Sequence, residues 1–253
     1  MKIKVICPVV RHEDPEKPFC EEEWEQLFRN GREKIVNKDT TFEVEVQSYG
    51  KKGVRTLESI YDLEIAAAFA IPVLAEAEEE GFDAVALDCF GDQGLCSAKE
   101  AMDIPVVGSM ESAMAIACLL GRKFSILAIH PGAKHIVERQ LAIYHMENRC
   151  ASVREVGLQI ERVEADRDKI IDAWIEEAKK AVEEDDADVI ITAGTALSCI
   201  PGYNRLRQTM GEMGIPVICG GETAIKVAEI LVALGLKQSK KRFPKPPEKE
   251  RFF

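Results

Sequence analysis

Short runs of apolar and β-branched residues alternate along the chain with longer stretches of helical periodicity. The runs Lys2–Pro8, Phe42–Ser48, Asp83–Cys89, Ile104–Gly108, Lys123–Ile129, Ser152–Gly157, Asp188–Thr192 and Ile215–Cys219 read as strands, and Thr56–Glu80 and Asp166–Glu184 are among the stretches that read as helices. Many of the strand runs are apolar nearly throughout, the pattern of strands covered on both faces, so a mostly parallel sheet with right-handed helical crossovers is expected. This is the α/β class.

The pattern occurs twice. FDAVALDCFGDQGL (82–95) is followed by DIPVVGSMESAMAIACLLG (103–121), and ADVIITAGTALSCIPG (187–202) by GIPVICGGETAIKVAEILVALG (214–235). Each copy runs from an Asp through a buried strand, a small-residue turn, a helix, Ile-Pro-Val, a second strand and a Glu near the start of another helix. Two similar lobes are expected, each a mostly parallel sheet flanked by helices, related by a pseudo-dyad with the site between them. Their predicted extents are 1–110 plus 221–253 for the first and 111–220 for the second. Ligands of such sheets lie beyond the carboxyl ends of the strands, so both strand-end turns should face one cleft.

Composition narrows the partners. The 253 residues, 46% hydrophobic and 30% charged, can bury a sizeable core. The formal net charge of -11 gives no attraction to phosphate backbones or anionic membranes, so neither nucleic acid nor membrane is expected as a partner. No apolar run reaches the length of a spanning helix and the N-terminus leads straight into a strand pattern, which reads as cytoplasmic. The eight cysteines (7, 20, 89, 96, 118, 150, 199, 219) form no CxxC pair, so neither a disulfide framework nor a metal site is indicated. The tail from Lys237 is basic and Pro-rich and reads as a solvated extension that Phe243, Phe252 and Phe253 would anchor if it docks; a homo-oligomer is compatible with it.

Candidate chemistry falls at the turns. Cys89 ends an apolar strand, and Phe90, Gly91, Asp92, Gln93 and Gly94 follow before a helix expected from about Leu95. A thiol at a helix entrance feels unpaired N–H groups, which lowers its pKa from about 8.5 toward or below neutral. Small core residue is the alternative. In the second copy Gly194 stands opposite Cys89, each six residues after its Asp, with Thr195, Ser198 and Cys199 close behind. Cys7, before Pro8, either lines the pocket or is core. His130 precedes Pro131-Gly132 at a strand end, where it either orients a ligand or faces solvent. His12 lies in a charged segment, and His135 and His145 read as surface residues on a helix. Glu111 and Glu222, matched in the repeat, mark helix starts through the preference for acids there. No GxGxxG after a strand, GxxxxGK[ST], HExxH or GxSxG elbow is present, so nucleotide, zinc-protease and lipase chemistries lack support.

The stretch DCFGDQGLCSAKEAMDIPVVGSMESAMAIACLLGRKFSIL resembles the first signature of the aspartate/glutamate/hydantoin racemase superfamily, in its hydantoin/allantoin racemase branch, with supporting matches in RCASVR (149–154) and LGLKQSKKRF (234–243). The resemblance implies a two-lobed fold, a small-molecule substrate, no cofactor, and two cysteines facing the substrate's stereocentre from opposite sides, one thiolate removing the proton α to a carbonyl while the other thiol returns one. Two departures fall in the predicted pocket. ITAGTAL puts Gly194 where the family's second cysteine stands, and the first strand ends Cys7-Pro8 where the family has Asn-Pro.

The expectation is a racemase or isomerase with Cys89 as acid or base and Thr195 or Cys199 as second group. Backbone N–H groups of Phe90, Gly91, Asp92, Gly194, Thr195 and Ala196 would hold substrate oxygens, and Pro8 and Val9 would form a wall. The rivals are a one-cysteine decarboxylase or lyase of the same superfamily and a non-catalytic small-molecule binding protein.

Overall fold

A computed structural model describes residues 1–7, 26, 29–46, 57–157, 167–199 and 202–249. The eight expected strands all form, as two four-stranded parallel sheets. In the first sheet, strands β1 (Lys2–Cys7), β2 (Thr41–Val46), β3 (Ala84–Leu87) and β4 (Val106–Gly108) lie in the order β2-β1-β3-β4. In the second, β5 (Phe124–Ala128), β6 (Cys150–Glu155), β7 (Val189–Thr192) and β8 (Val217–Cys219) lie in the order β6-β5-β7-β8. The orders correspond, so the duplication seen in the sequence is a duplication of topology.

Besides the helical residues at 29–33, helices α1 (Ile60–Glu79), α2 (Leu95–Ala101), α3 (Ser109–Leu120), α4 (Pro131–Ile143), α5 (Arg167–Asp185), α6 (Tyr203–Glu212) and α7 (Gly220–Ala233) flank the sheets. The α1 helix starts at Ser59, whose hydroxyl accepts the Asp62 N–H, rather than at Thr56, which lies outside the described residues. It buries Leu63, Ala66, Ala70, Leu74 and Ala77, one stripe at helical spacing. Strands β3, β5 and β7 are buried at every residue, which is why their sequences show no alternation. No helix among the described residues is long and apolar enough to cross a membrane.

The repeat is reproduced bond by bond. Asp83 donates its N–H to the Lys2 carbonyl (2.8 Å) and accepts the Lys2 N–H on its carboxylate (2.7 Å). Asp188 does the same with Lys123, at 2.9 Å in both directions. Val85 donates to the carbonyl of Pro105 as Ile190 does to that of Pro216, and Asp88 donates to Ile6 as Ala193 does to Leu127. Each Ile-Pro-Val proline therefore serves as an acceptor at the foot of its sheet, a position that needs no N–H.

The final helix of each half crosses to the other half's sheet. Met110, Ala113, Met114 and Ala117 of α3 pack on Phe124 and Ile126 of β5 and on Val189 and Ile191 of β7. Ala224, Ile225 and Ala228 of α7 pack on Ile3 and Val5 of β1 and Ala84 and Ala86 of β3. Where the two helices meet, Ser112 and Thr223, equivalent residues of the repeat, share a 3.1 Å hydrogen bond.

The tail departs from the expectation of a solvated extension. Gln238 donates to the carbonyls of Met102 and Ile104 and accepts the Val106 N–H, while the Lys240 ammonium donates to the carbonyls of Lys99, Glu100 and Met102 at the end of α2. Lys245 pairs with Asp103, and Phe243 sits against Lys99 and Arg242. The basic side chains find the unpaired carbonyls that a helix C-terminus leaves. Phe252 and Phe253 lie outside the described residues.

Candidate functional site

Hydrogen bonding fixes the equivalence of the two strand-end turns. Since Asp88 and Ala193 make matching bonds to β1 and β5, the next residues, Cys89 and Gly194, occupy matching places. The two turns touch: the Thr195 hydroxyl donates to the Asp88 carbonyl at 3.1 Å.

Cys89 is half-buried at the end of β3, one residue past Asp88. Its thiol is pushed up to about 11 by burial. The Gly91 N–H and the Gln93 side chain oppose that rise, and the carboxylates of Asp92 and Asp88 add to it. The sequence-based expectation of a lowered pKa is therefore corrected. The α2 helix begins six residues on, after the left-handed Gly94, so its N-terminal amides are not at the sulfur, and desolvation governs instead.

Between the turns lies a group for which the sequence offered no role. Arg32, with 0% of its surface exposed, donates from Nε and Nη2 to the two Asp88 carboxylate oxygens at 2.9 and 3.2 Å. It also donates to the Thr195 carbonyl at 3.0 Å and the Ser198 hydroxyl at 2.9 Å, and its Nη1 lies 3.9 Å from the Cys219 sulfur. Burial works against the guanidinium charge and Asp88 outweighs it, so the pKa is raised. One side chain thus ties the Cys89 turn of the first sheet to the Thr195 turn of the second. Gly221, in the first turn of α7, admits the pair: a Cβ there would collide with Asp88 Oδ1 and Arg32 Nη2.

The other expected site residues divide. Phe90 is buried against the core of the second sheet. The Gly91 carbonyl accepts from Gln140 at 2.5 Å. Asp92, at φ +47°, spends its N–H on the Cys89 carbonyl, so its amide does not face a ligand. Its carboxylate caps α3 by accepting the N–H groups of Met110 and Glu111 and also takes the Tyr144 hydroxyl. Burial, and then Glu111, lift that carboxyl to about 7. Thr195 is buried and supplies the hydroxyl of the Thr195–Asp88 bond between the turns; Ala196 follows it in the 3₁₀ turn Thr195–Cys199. Cys199 packs against the core of the first sheet, its sulfur against Gly31, and burial pushes its thiol up to about 12. Cys7 is core, its thiol donating to the Asp88 carbonyl at 3.4 Å. Pro8, Val9 and His12 lie outside the described residues.

His130 is the N-cap of α4, its Nδ1 accepting the Ala133 N–H, while His135 and His145 are exposed, the latter just beyond the helix. Glu111 and Glu222 stand in the first turns of α3 and α7 and pair with Lys99 and Arg207. Gln93, unassigned by the sequence, is 4% exposed with no hydrogen-bond partner for either amide atom.

Paired parallel α/β sheets joined at their strand-end turns, with a thiol in one turn, define a two-lobed class of protein. The family model of Asp/Glu/hydantoin racemase matches residues 35–228, and the chain belongs to that family. It is 35% identical over 202 residues to a hydantoin racemase of Pseudomonas sp. (strain NS671), covering 80% of this chain and 79% of that one. A hydantoin racemase of Paenarthrobacter aurescens is 34% identical over 201 residues, 79% of this chain and 83% of the relative. Among solved structures, the allantoin racemase from Klebsiella pneumoniae superposes with a TM-score of 0.84 at 26% identity, over 100% of this chain and 96% of that one.

Proposed function

We propose that the protein is a cofactor-independent isomerase that moves a proton at the carbon α to a carbonyl of a small hydantoin-like or amino-acid-derived substrate, with Cys89 as acid or base. The observation that carries the reading is the placement of Cys89: a half-buried thiol at the end of a buried central strand, in a turn that touches the matching turn of the other sheet. As base, the thiolate takes the α proton and becomes the thiol while the charge left on the substrate spreads to the carbonyl oxygen; as acid, the thiol returns it. The backbone N–H groups of Phe90, Gly194, Thr195 and Ala196 are the ones assigned to that oxygen. The hydantoin and allantoin racemases among its relatives support the substrate class. The lobes of this reading are 1–110 with 221–253, and 111–220.

One observation favours a second reading, proton transfer at one face only, as in a one-cysteine decarboxylase or lyase of the same superfamily. Gly194, at the place equivalent to Cys89, has φ +130°, a conformation that a cysteine rarely adopts. The second cysteine of a two-base racemase is absent there, and Thr195 or Cys199 is left as the second group.

Solvent-deuterium exchange at the α carbon, followed separately for each enantiomer of a 5-substituted hydantoin, tests both. Cys89→Ser is expected to lower exchange by about 100-fold or more; exchange at the wild-type rate would remove Cys89 from the mechanism. Exchange of both enantiomers selects racemisation, and of one alone the single-face reading. Gly194→Cys should lose about 1 kcal/mol or more of stability in urea melts because its backbone must leave φ +130°.

A further inference from the structure

Beyond β3 the chain leaves the ladder of its sheet, so no neighbouring strand sets residues 89–94. Two of them have left-handed backbone, Asp92 at φ +47° and Gly94 at φ +75°. Glycine adopts that conformation freely, whereas an aspartate keeps it only where its surroundings hold it. Asp92 donates its N–H to the Cys89 carbonyl at 3.2 Å, so a shift of Asp92 moves the peptide of Cys89 with it.

The hold comes from the other half of the molecule. Gln140 and Tyr144, one helical turn apart on α4 and its C-cap, reach the turn together. The Gln140 amide donates to the Gly91 carbonyl at 2.5 Å, and the Tyr144 hydroxyl donates to the Asp92 carboxylate at 2.8 Å. The α4 helix is itself seated on the first half. A Cβ on Gly132 would collide with the Glu58 carbonyl just before α1, and Arg139 pairs with Glu64 of α1 at 3.2 Å.

The second turn is held in the same manner from the first half. Helical residues 29–33, like α4, follow the first strand of their half and precede the second. From them Arg32 donates to the Thr195 carbonyl and the Ser198 hydroxyl, and Gly31 lies against the Cys199 sulfur.

We infer that Gln140 and Tyr144 are positioning residues for the proton transfer at Cys89: reaching across from the second half, they fix the Gly91–Asp92 peptides and through them the setting of the thiol. This rests on the proposed reaction and adds to it two residues that touch no substrate. A reacting group displaced by about 1 Å loses on the order of 100-fold in rate, so loosening the turn should be felt in the chemical step.

Two readouts separate positioning from folding. In α-deuterium exchange on a 5-substituted hydantoin, Tyr144→Phe and Gln140→Leu should each lower kcat about ten-fold or more with KM changed less than about two-fold, because the lost bonds align the thiol and do not bind the ring. His135→Ala, an exposed change on the same helix, should leave both constants unchanged. The second readout needs no substrate. Iodoacetamide labelling at a fixed pH, followed cysteine by cysteine by mass spectrometry, should accelerate about three-fold or more at Cys89 in both variants as the loosened turn admits water and reagent to the sulfur. Cys7 and Cys219, each 1% exposed, should label no faster than in wild type. Gln140→Leu decides alone if Tyr144→Phe does not fold.

A kcat within about two-fold of wild type in the folded variants would overturn the inference. So would labelling that rises equally at Cys7, Cys89 and Cys219, which would assign both bonds to global stability. Absence of exchange in wild type would instead bring down the proposed reaction; selective acceleration at Cys89 would then still support the hold on its turn, and unchanged labelling would remove that as well.

Discussion

At the scale of single residues, Cys89 is governed by how little water reaches it. Its thiol stands at about 11, so at neutral pH the resting group is protonated and only a small thiolate fraction reacts. Iodoacetamide labelling of Cys89, read by mass spectrometry of its peptide, should therefore accelerate about ten-fold per pH unit and still be rising at pH 9; a plateau near pH 7 would contradict the desolvated environment. The position of this cysteine was legible because it closes an apolar run before a glycine turn. Arg32 and Gln93 were not. Arg32 finds its carboxylate 56 residues away and its other partners beyond residue 194, distances over which no periodicity reports. Gln93 is distinguished by the burial of its amide beside the Cys89 sulfur, a property that only coordinates expose.

At the scale of elements, the eight strands were readable because parallel strands covered on both faces are apolar at nearly every position. Several predicted ends were too generous for a physical reason. Asp88 and Cys89 follow β3 into the turn, outside the strand's ladder, and an apolar run does not register where pairing stops. The tail illustrates the converse. Lys and Pro suggest solvation, but Lys240 and Gln238 meet carbonyl and N–H groups that α2 and β4 leave open. The double variant Gln238→Leu, Lys240→Met is expected to lower stability by about 2–3 kcal/mol in urea denaturation; an unchanged midpoint would mean that the docked tail contributes nothing to the fold.

At the scale of the molecule, the join between the two sheets depends on a buried charge. Arg32→Met leaves the Asp88 carboxylate uncompensated and should cost about 3–5 kcal/mol, whereas adding Asp88→Asn to it should recover much of the loss. Equal destabilisation in the single and double variants would assign the effect to packing alone. The duplication was legible at this scale from two Asp-strand-turn-helix copies, while the tie across their turns was not, because Arg32 lies outside both repeated segments.

The exchange of final helices has a consequence for any attempt to divide the chain. A fragment ending after α3, at Leu120, would present the apolar surface of its sheet that Ala224, Ile225 and Ala228 cover, and the complementary fragment would lack Met110, Met114 and Ala117. Each piece on its own would be left sticky and unfinished, and would be completed only by recruiting the other.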